Sequence, residues 1–276
     1  MEHIYYSKTS IKYMNYIERL KSLDIQSATT IAIESLEYLR GFAIKRGFGE
    51  AFDEECTKLL DARPTAVVLH NAIEHIKEKP AGSVLEKVIR DLQSARDRAA
   101  KNASEIFITK TDVLTHCHST FVVAALVKNR GSVRNVIVTE TRPKDQGVRT
   151  AKDLLAAKIP VTFIIDSAVS DLISQTDIVV VGADALRKEG LVNKVGTHPL
   201  ACVAKENNKP FYVITSSFTL DRRKKITMEQ RPASELHHPD LRGAKILNPS
   251  FDITPWRYVS AVVTEKGIIT PGKLKW

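Results

Sequence analysis

The hydrophobic pattern of the chain changes its period near Thr109, and this change constrains the fold more than any other feature. Before it, segments such as "MNYIERLKSL" and "PTAVVLHNAIEHIKE" have helical periodicity, and strand-like alternation is missing. After it, β-branched runs such as "VIVTE", "VTFIID" and "DIVVVGAD" alternate with helical stretches. This alternation predicts a parallel, doubly wound sheet. The sequence therefore predicts an α/β protein, with a helical domain over residues 1–108 and a sheet domain over residues 109–276.

Charge and cysteine content narrow the class of protein. Lys and Arg number 41 against 32 Asp and Glu, but the basic residues are spread along the chain, and "DRRKK" at 221–225 is their densest cluster. Without a zinc-finger or other nucleic-acid signature, we expect a solvated basic surface and no sequence-specific nucleic-acid binding. Three widely spaced cysteines predict free thiols in a reducing compartment. No signal-peptide pattern and no apolar run near the ~18 residues of a membrane span are present, so we expect a cytoplasmic protein without membrane contact.

The segment "VLTHCHSTFVVAAL" places a cysteine between two histidines. Side chains alternate along an extended segment, so His116 and His118 would face one side and Cys117 the other. No second Cys/His pair stands at zinc-ligand spacing, and the sequence therefore predicts no metal site here. A short buried strand ends at this motif and a Ser/Thr-capped helix follows, which places Cys117 at a strand-to-helix turn.

Polar or reactive residues end several strands of the predicted sheet, where open parallel sheets bind ligands. Cys117 ends the first strand, and "TETRP" with Arg142 ends the second. Asp166 ends the third strand and is followed by "SAVSDLIS", so it is either a site residue or the cap of the next helix. Asp184 in "GADAL" precedes the hairpin-like "LRKEGLVNKVGT" and is harder to explain as a cap.

These residue types can move a proton to and from a small substrate. We expect the start of the following helix to lower the pKa of Cys117 and desolvation to raise the pKa of Asp184, making the two an acid–base pair.

Phosphate-binding groups are also predicted. Asn193, Lys194 and the backbone amides near Gly196 and Thr197 form a possible anion cradle in "NKVGTHP". Two arginines could each bind a phosphate through a bidentate fork or form a structural ion pair instead: Arg142 and Arg63. For Arg63 the ion pair is the stronger alternative.

Six motifs in order resemble those of the superfamily that joins the regulatory alpha, beta and delta subunits of translation initiation factor 2B to sugar-phosphate aldose–ketose isomerases. The motifs are "RPTAVVLHNAI", "VLTHCHS", "VTETRPKDQG", "VVGADAL", "GLVNKVGT" and "NPSFDITPWRYVSAVVTEKGIITP". The isomerases include those of ribose 1,5-bisphosphate and methylthioribose 1-phosphate. The resemblance implies an N-terminal helical domain, a Rossmann-like C-terminal domain and homodimers or higher homo-oligomers. It also implies that Cys117 and Asp184 are the catalytic pair.

One motif departs from the isomerase pattern. The isomerases carry an Arg-Gly phosphate-binding loop near the N-terminus, whereas the matching stretch "LDIQSATTIAIESL" has Gln26 and Ser27. A bidentate phosphate donor is lost, together with a glycine that lets the backbone approach a ligand.

Two functions are therefore predicted. The first is a regulatory-subunit-like protein that binds initiation factor 2 and keeps a pocket for a phosphorylated sugar or nucleotide, and the missing loop favours it. The alternative is an isomerase of a phosphorylated pentose that uses Cys117 and Asp184, and the retained pair favours it. Neither requires a cofactor.

Overall fold

A computed structural model describes residues 16–21, 27–224, 230–236 and 243–275. The chain divides into two compact units, Met1–Leu92 and Gln93–Trp276. This division falls inside a helix, whereas the sequence places the domain boundary at residue 108, which stays a prediction. Gln26 lies outside the described residues.

Every regular element described before Thr111 is helical, as the periodicity predicts. The α-helices are α1 (Tyr16–Lys21), α2 (Ala28–Arg46), α3 (Glu50–Ala62), α4 (Val67–Glu78) and α5 (Gly82–Asn102). Ser27 caps α2, because its hydroxyl accepts a hydrogen bond from the Thr30 amide at 3.4 Å. Where the isomerase motif has glycine, this chain thus has a helix cap.

The remainder of the chain contains ten strands in two sheets and four further α-helices among the described residues. The strands are β1 (Thr111–Thr115), β2 (Val133–Thr139), β3 (Val161–Ile164), β4 (Ile178–Val181), β5 (Ala185–Arg187), β6 (Gly190–Lys194), β7 (Phe211–Ile214), β8 (Phe251–Thr254), β9 (Ala261–Thr264) and β10 (Gly267–Ile269). The helices are α6 (Thr120–Lys128), α7 (Gln146–Ala156), α8 (Val169–Leu172) and α9 (Thr197–Glu206).

The larger sheet has the order β10-β9-β7-β4-β1-β2-β3 and is parallel except for β10. Chain order reverses between β1 and β4, which is the position where doubly wound sheets bind ligands. Val113 and Leu114, adjacent on β1, belong to two different apolar clusters, so both faces of the sheet are covered. This confirms the predicted fold class.

Two local details differ from the simple alternation of strands and helices. The run "VSAVVTEKGIIT" forms two antiparallel strands, β9 and β10, because the chain turns at Glu265–Lys266 and Gly267 adopts a positive φ of 117°. The helix expected from Ser167 is the single turn α8 between two 3₁₀ segments. The predicted hairpin after Asp184 is β5–β6, which joins β8 in a three-stranded antiparallel sheet.

No helix in the described part of the chain is both long enough and apolar enough to cross a membrane.

Candidate active site

The backbone of Cys117 has an unusual conformation at the end of β1. Its φ is +71°, in the left-handed region that residues other than glycine seldom adopt. Two hydrogen bonds hold it there: its N–H donates to Thr141 Oγ1 at 2.8 Å, and its carbonyl accepts from Thr150 Oγ1 at 3.0 Å. Backbone strain that the surroundings stabilise in this way is concentrated at functional sites.

The thiol of Cys117 is protonated and in contact with polar groups. Its Sγ donates a hydrogen bond to Gln146 Oε1 at 3.3 Å. Burial raises the pKa of Cys117 to about 12, while the charge of Lys194 lowers it and that of Asp184 raises it further. The charges of Lys194 and Asp184 therefore both influence the pKa of the thiol.

This result corrects the expectation that a helix N-terminus lowers the pKa of Cys117. Helix α6 begins at Thr120, and Ser119 caps it by accepting from the Val122 amide at 3.4 Å. Cys117 lies before the cap, where the helix dipole has weakened, and desolvation by the surrounding protein dominates.

We expect the raised pKa to slow alkylation of Cys117. At pH 8 the thiolate fraction is far below that of the unfolded chain, and allowing for the greater nucleophilicity of a more basic thiolate, iodoacetamide should react about 10²-fold more slowly. Mass spectrometry of the Cys117 peptide, native against denatured, measures this ratio. Equal native and denatured rates contradict the prediction.

The same shift makes stability depend on pH. The folded chain binds the thiol proton of Cys117 more tightly than the unfolded chain does. The resulting contribution to the free energy of unfolding is complete below the unfolded pKa of ~8.5 and is lost as pH rises towards 12.

The flanking histidines serve the scaffold. His116 Nε2 donates to the Val195 carbonyl at 2.9 Å, so Nδ1 accepts from Thr139 Oγ1 at 2.7 Å. Burial lowers the pKa of His116, which keeps the ring neutral. The Thr150 hydroxyl already donates to Cys117, so it accepts from His118 Nδ1 at 3.1 Å. Within the described ranges, no three His, Cys, Asp or Glu side chains converge as a metal site requires.

Asp166 holds the loop that follows β2. Its two carboxylate oxygens accept from the backbone N–H groups of Thr141 and Arg142, both at 2.8 Å. No side-chain cap bond is found at the start of the following 3₁₀ turn. The contacts of Asp166 are therefore not those of a helix cap, and they position Thr141, whose hydroxyl accepts from the Cys117 N–H. A role of Asp166 in the site stays a prediction.

The predicted anion cradle meets a carboxylate of the chain itself. Asp252 Oδ2 accepts from the amides of Gly196 at 2.8 Å and His198 at 3.0 Å, and the Thr197 amide also bonds to this carboxylate. The backbone cradle is therefore occupied, because a helix N-terminus attracts the nearest buried anion. This corrects the expectation for the amides at Gly196 and Thr197.

Side chains of the same loop have separate roles. Asn193 is buried and donates from Nδ2 to Thr197 Oγ1 at 3.0 Å, while the Thr197 hydroxyl donates to the Lys194 carbonyl at 2.6 Å. Lys194 Nζ lies 5.3 Å from the centre of the Phe251 ring. Asn193 and Thr197 thus stabilise the loop, and Lys194 supplies its cation.

The two arginines lie in different units. Arg142 Nη1 contacts Pro143 O at 3.3 Å and Asp145 Oδ1 at 3.4 Å on the surface. Arg63, in the first unit, ends α3, and its guanidinium donates to the Leu20 carbonyl at 3.5 Å. Phosphate binding by both stays a prediction.

Several residues that build the site were missed from the sequence. They are Thr139, Thr141, Gln146, Thr150 and Asp252. Gln146 begins α7 in "TRPKDQG", and a polar residue at the first helical position after a strand end was the available signal. The threonines carry no such signal, because their partners are distant in sequence.

Gly147 offers a sharp test of this packing. A Cβ at Gly147 would lie 1.7 Å from the Thr139 carbonyl oxygen, so Gly147→Ala must displace α7 and Gln146 from β2. We expect the free energy of unfolding, measured by urea denaturation, to fall by about 1–3 kcal/mol. The control is Gly41→Ala in α2, where nothing lies within 4 Å; it should stabilise the chain by roughly 0.5–1 kcal/mol. Similar effects of the two variants contradict the prediction.

Comparison with known proteins gives consistent matches. The model of the Initiation factor 2 subunit family matches residues 24–271. Ribose 1,5-bisphosphate isomerase of Archaeoglobus fulgidus is 36% identical, over 92% of this chain and 88% of that protein. 5-Deoxyribose 1-phosphate isomerase of Moorella thermoacetica is 32% identical, over 92% of this chain and 85% of that protein. A solved structure titled translation initiation factor eIF-2B, from Pyrococcus horikoshii OT3, has a TM-score of 0.78 at 25% identity, over 92% of this chain and 95% of that chain.

Proposed function

Since the chain belongs to the Initiation factor 2 subunit family, we propose that it is a sugar-phosphate aldose–ketose isomerase in which Cys117 and Asp184 transfer protons. One observation carries the proposal: a strained, protonated cysteine stands at the switch point of the sheet, under the charges of Lys194 and Asp184. The named relatives support the isomerase over the factor-like function that the missing Arg-Gly loop favours.

The chemistry balances without a cofactor. Converting a cyclic pentose 1-phosphate to the open-chain ketose breaks the C–H bond at carbon 2, the O–H bond of the carbon 2 hydroxyl and the bond from carbon 1 to the ring oxygen. It forms a C–H bond at carbon 1, the carbonyl at carbon 2 and a hydroxyl on the former ring oxygen, with no net oxidation. The Asp184 carboxylate can take the proton from carbon 2, and the neutral Cys117 thiol can donate one to carbon 1. A thiol with a pKa near 12 is fully protonated at neutral pH and so carries the proton that the donor role requires.

The substrate class is a pentose phosphorylated on carbon 1. The two named relatives act, by their names, on ribose 1,5-bisphosphate and 5-deoxyribose 1-phosphate. These compounds share the 1-phosphate and differ at carbon 5. Lys194 and Arg142 are the proposed phosphate-binding cations.

The decisive experiment incubates the purified chain with a panel of pentose 1-phosphates and 1,5-bisphosphates and follows ketose formation by NMR. We expect ketose product from at least one compound. In deuterated water, proton transfer through exchangeable groups introduces deuterium at carbon 1, whereas a direct hydride shift does not. Absence of product across the panel contradicts the isomerase proposal.

A second candidate function is binding to initiation factor 2, which the similarity to the solved structure of translation initiation factor eIF-2B favours. Co-sedimentation with initiation factor 2 tests it. If this function holds, Cys117→Ser leaves the association unchanged, and Lys224→Glu weakens it in a salt-dependent way. A chain that neither isomerises the panel nor binds the factor contradicts both functions. A homo-oligomer in the cytoplasm is proposed for either, and analytical ultracentrifugation tests the oligomer.

A further inference from the structure

We propose that Asp252 is a positioning residue that holds the loop of residues 193–196, which comprises the end of β6 and the turn before α9, and with it Lys194, against Cys117. Its link to catalysis rests on the proposed function, whereas the seating itself is independent of any substrate. Asp252 lies on β8, directly opposite Asn193 of β6 in the antiparallel pairing.

Contacts at both ends of the loop support this role. The carboxylate of Asp252 bonds to the Gly196 and His198 amides, so it anchors the point where the loop enters α9. The carbonyl of Val195, one residue earlier, accepts from His116 Nε2 at 2.9 Å. The loop is thus fixed between β8 and the residue that precedes Cys117.

Close packing at Gly196 leaves no room for a side chain at this position of the loop. Its φ is +103°, and a Cβ there would lie 3.0 Å from the His116 ring. The loop backbone therefore packs directly on His116. Gly196 and the carbonyl of Val195 therefore both contact the His116 ring.

The environment of Asp252 is costly for a carboxylate. Its Oδ1 is buried and has no hydrogen-bond partner among the described residues. Ser250 Oγ and Thr254 Oγ1 are likewise buried without a hydrogen-bond partner among the described residues. Ser250 and Thr254 stand two residues before and two residues after Asp252, so the three side chains share one face of the extended chain. Burial raises the pKa of Asp252, and the three backbone amides and the His198 side chain of α9 oppose this rise. Asparagine would fill the same space without the desolvation cost of a buried carboxylate. The presence of a charged side chain here therefore indicates that its role is to bind the three backbone amides.

The test compares Asp252→Asn with Thr254→Val. Thr254 is fully buried on the same face of β8, and its hydroxyl has no partner among the described residues, so its substitution is a matched control. We expect Asp252→Asn to speed hydrogen exchange of the Gly196 and His198 amides at least tenfold, and Thr254→Val to leave it unchanged. Unchanged exchange in Asp252→Asn overturns the proposal.

The catalytic link has a separate readout. On whichever panel compound the wild-type chain converts, Asp252→Asn should raise KM about tenfold or more with a smaller change in kcat, because Lys194 binds the phosphate in ground and transition states alike. An unchanged KM despite faster exchange overturns this link. If the wild-type chain converts nothing, the proposed function fails while the exchange result still decides the seating.

A wild-type measurement covers the case in which Asp252→Asn does not fold. The amide proton shifts of Gly196 and His198 should titrate together as Asp252 is protonated, with a midpoint above the ordinary aspartate value of about 3.9. Independent titration of the two amides, or none, contradicts a shared carboxylate.

Discussion

Cys117→Ser should lower the turnover of a 1-phosphorylated pentose by about 10²–10⁴-fold, the usual cost of removing a proton carrier. A hydroxyl is a weaker acid than a thiol and donates a proton to carbon less readily. Asp184→Asn should have an effect of similar size, because an amide does not accept the proton. Initial rates of ketose formation measure both variants.

Binding should separate this loss from general damage. Lys194 and Arg142 are untouched in both variants, so calorimetric titration with the phosphorylated pentose should give nearly the wild-type affinity. Cys202→Ser, a change of the same kind in α9, should keep wild-type turnover. Turnover of Cys117→Ser within tenfold of wild type would exclude the thiol as the proton donor.

Asp221→Asn should lower the free energy of unfolding by about 3–5 kcal/mol, because it removes the buried counter-charge of the Arg187 guanidinium and leaves it only the exposed carboxylate of Glu189, at 3.3 Å. Arg187 Nη1 donates to Asp221 Oδ2 at 2.7 Å, and each residue is 3% exposed. Arg223 Nε adds a bond to Oδ1 at 2.8 Å. Arg187 lies on β5, three residues after Asp184, so the pair also holds the hairpin that carries the proposed base.

The pH dependence of this contribution follows from the same contacts. Burial by itself raises the pKa of Asp221, but hydrogen bonds from Arg223 and Arg187 outweigh it and hold the pKa below its usual range. The stabilisation is therefore present above the unfolded value of about 3.9 and is lost as pH falls through the lower folded value.

An exposed ion pair provides the control. Asp97 lies 3.5 Å from Arg96 on α5, and its side chain is 74% exposed. Asp97→Asn should change the free energy of unfolding by no more than about 1 kcal/mol. Urea denaturation at pH 7 measures both variants. Equal effects would mean that the buried pair contributes no more than a solvated one.

The sequence by itself determined the fold class and supplied the candidate site residues. Hydrophobic period is a local property, so the change near Thr109 was sufficient to predict helices before it and a parallel sheet after it. Strand ends follow from the same pattern, which is why the sequence alone points to Cys117 and Asp184 as candidates. Lys194 became a candidate because it lies near the end of the predicted hairpin segment.

Tertiary structure decided how those residues are held and in which protonation state. Burial of the thiol raised the pKa of Cys117, where the adjacent helix alone predicted a fall. Asp252, 56 residues away from Gly196 in sequence, occupies the amides predicted to bind phosphate. Desolvation and contacts between distant segments depend on the packed chain, and no local pattern of side chains encodes them.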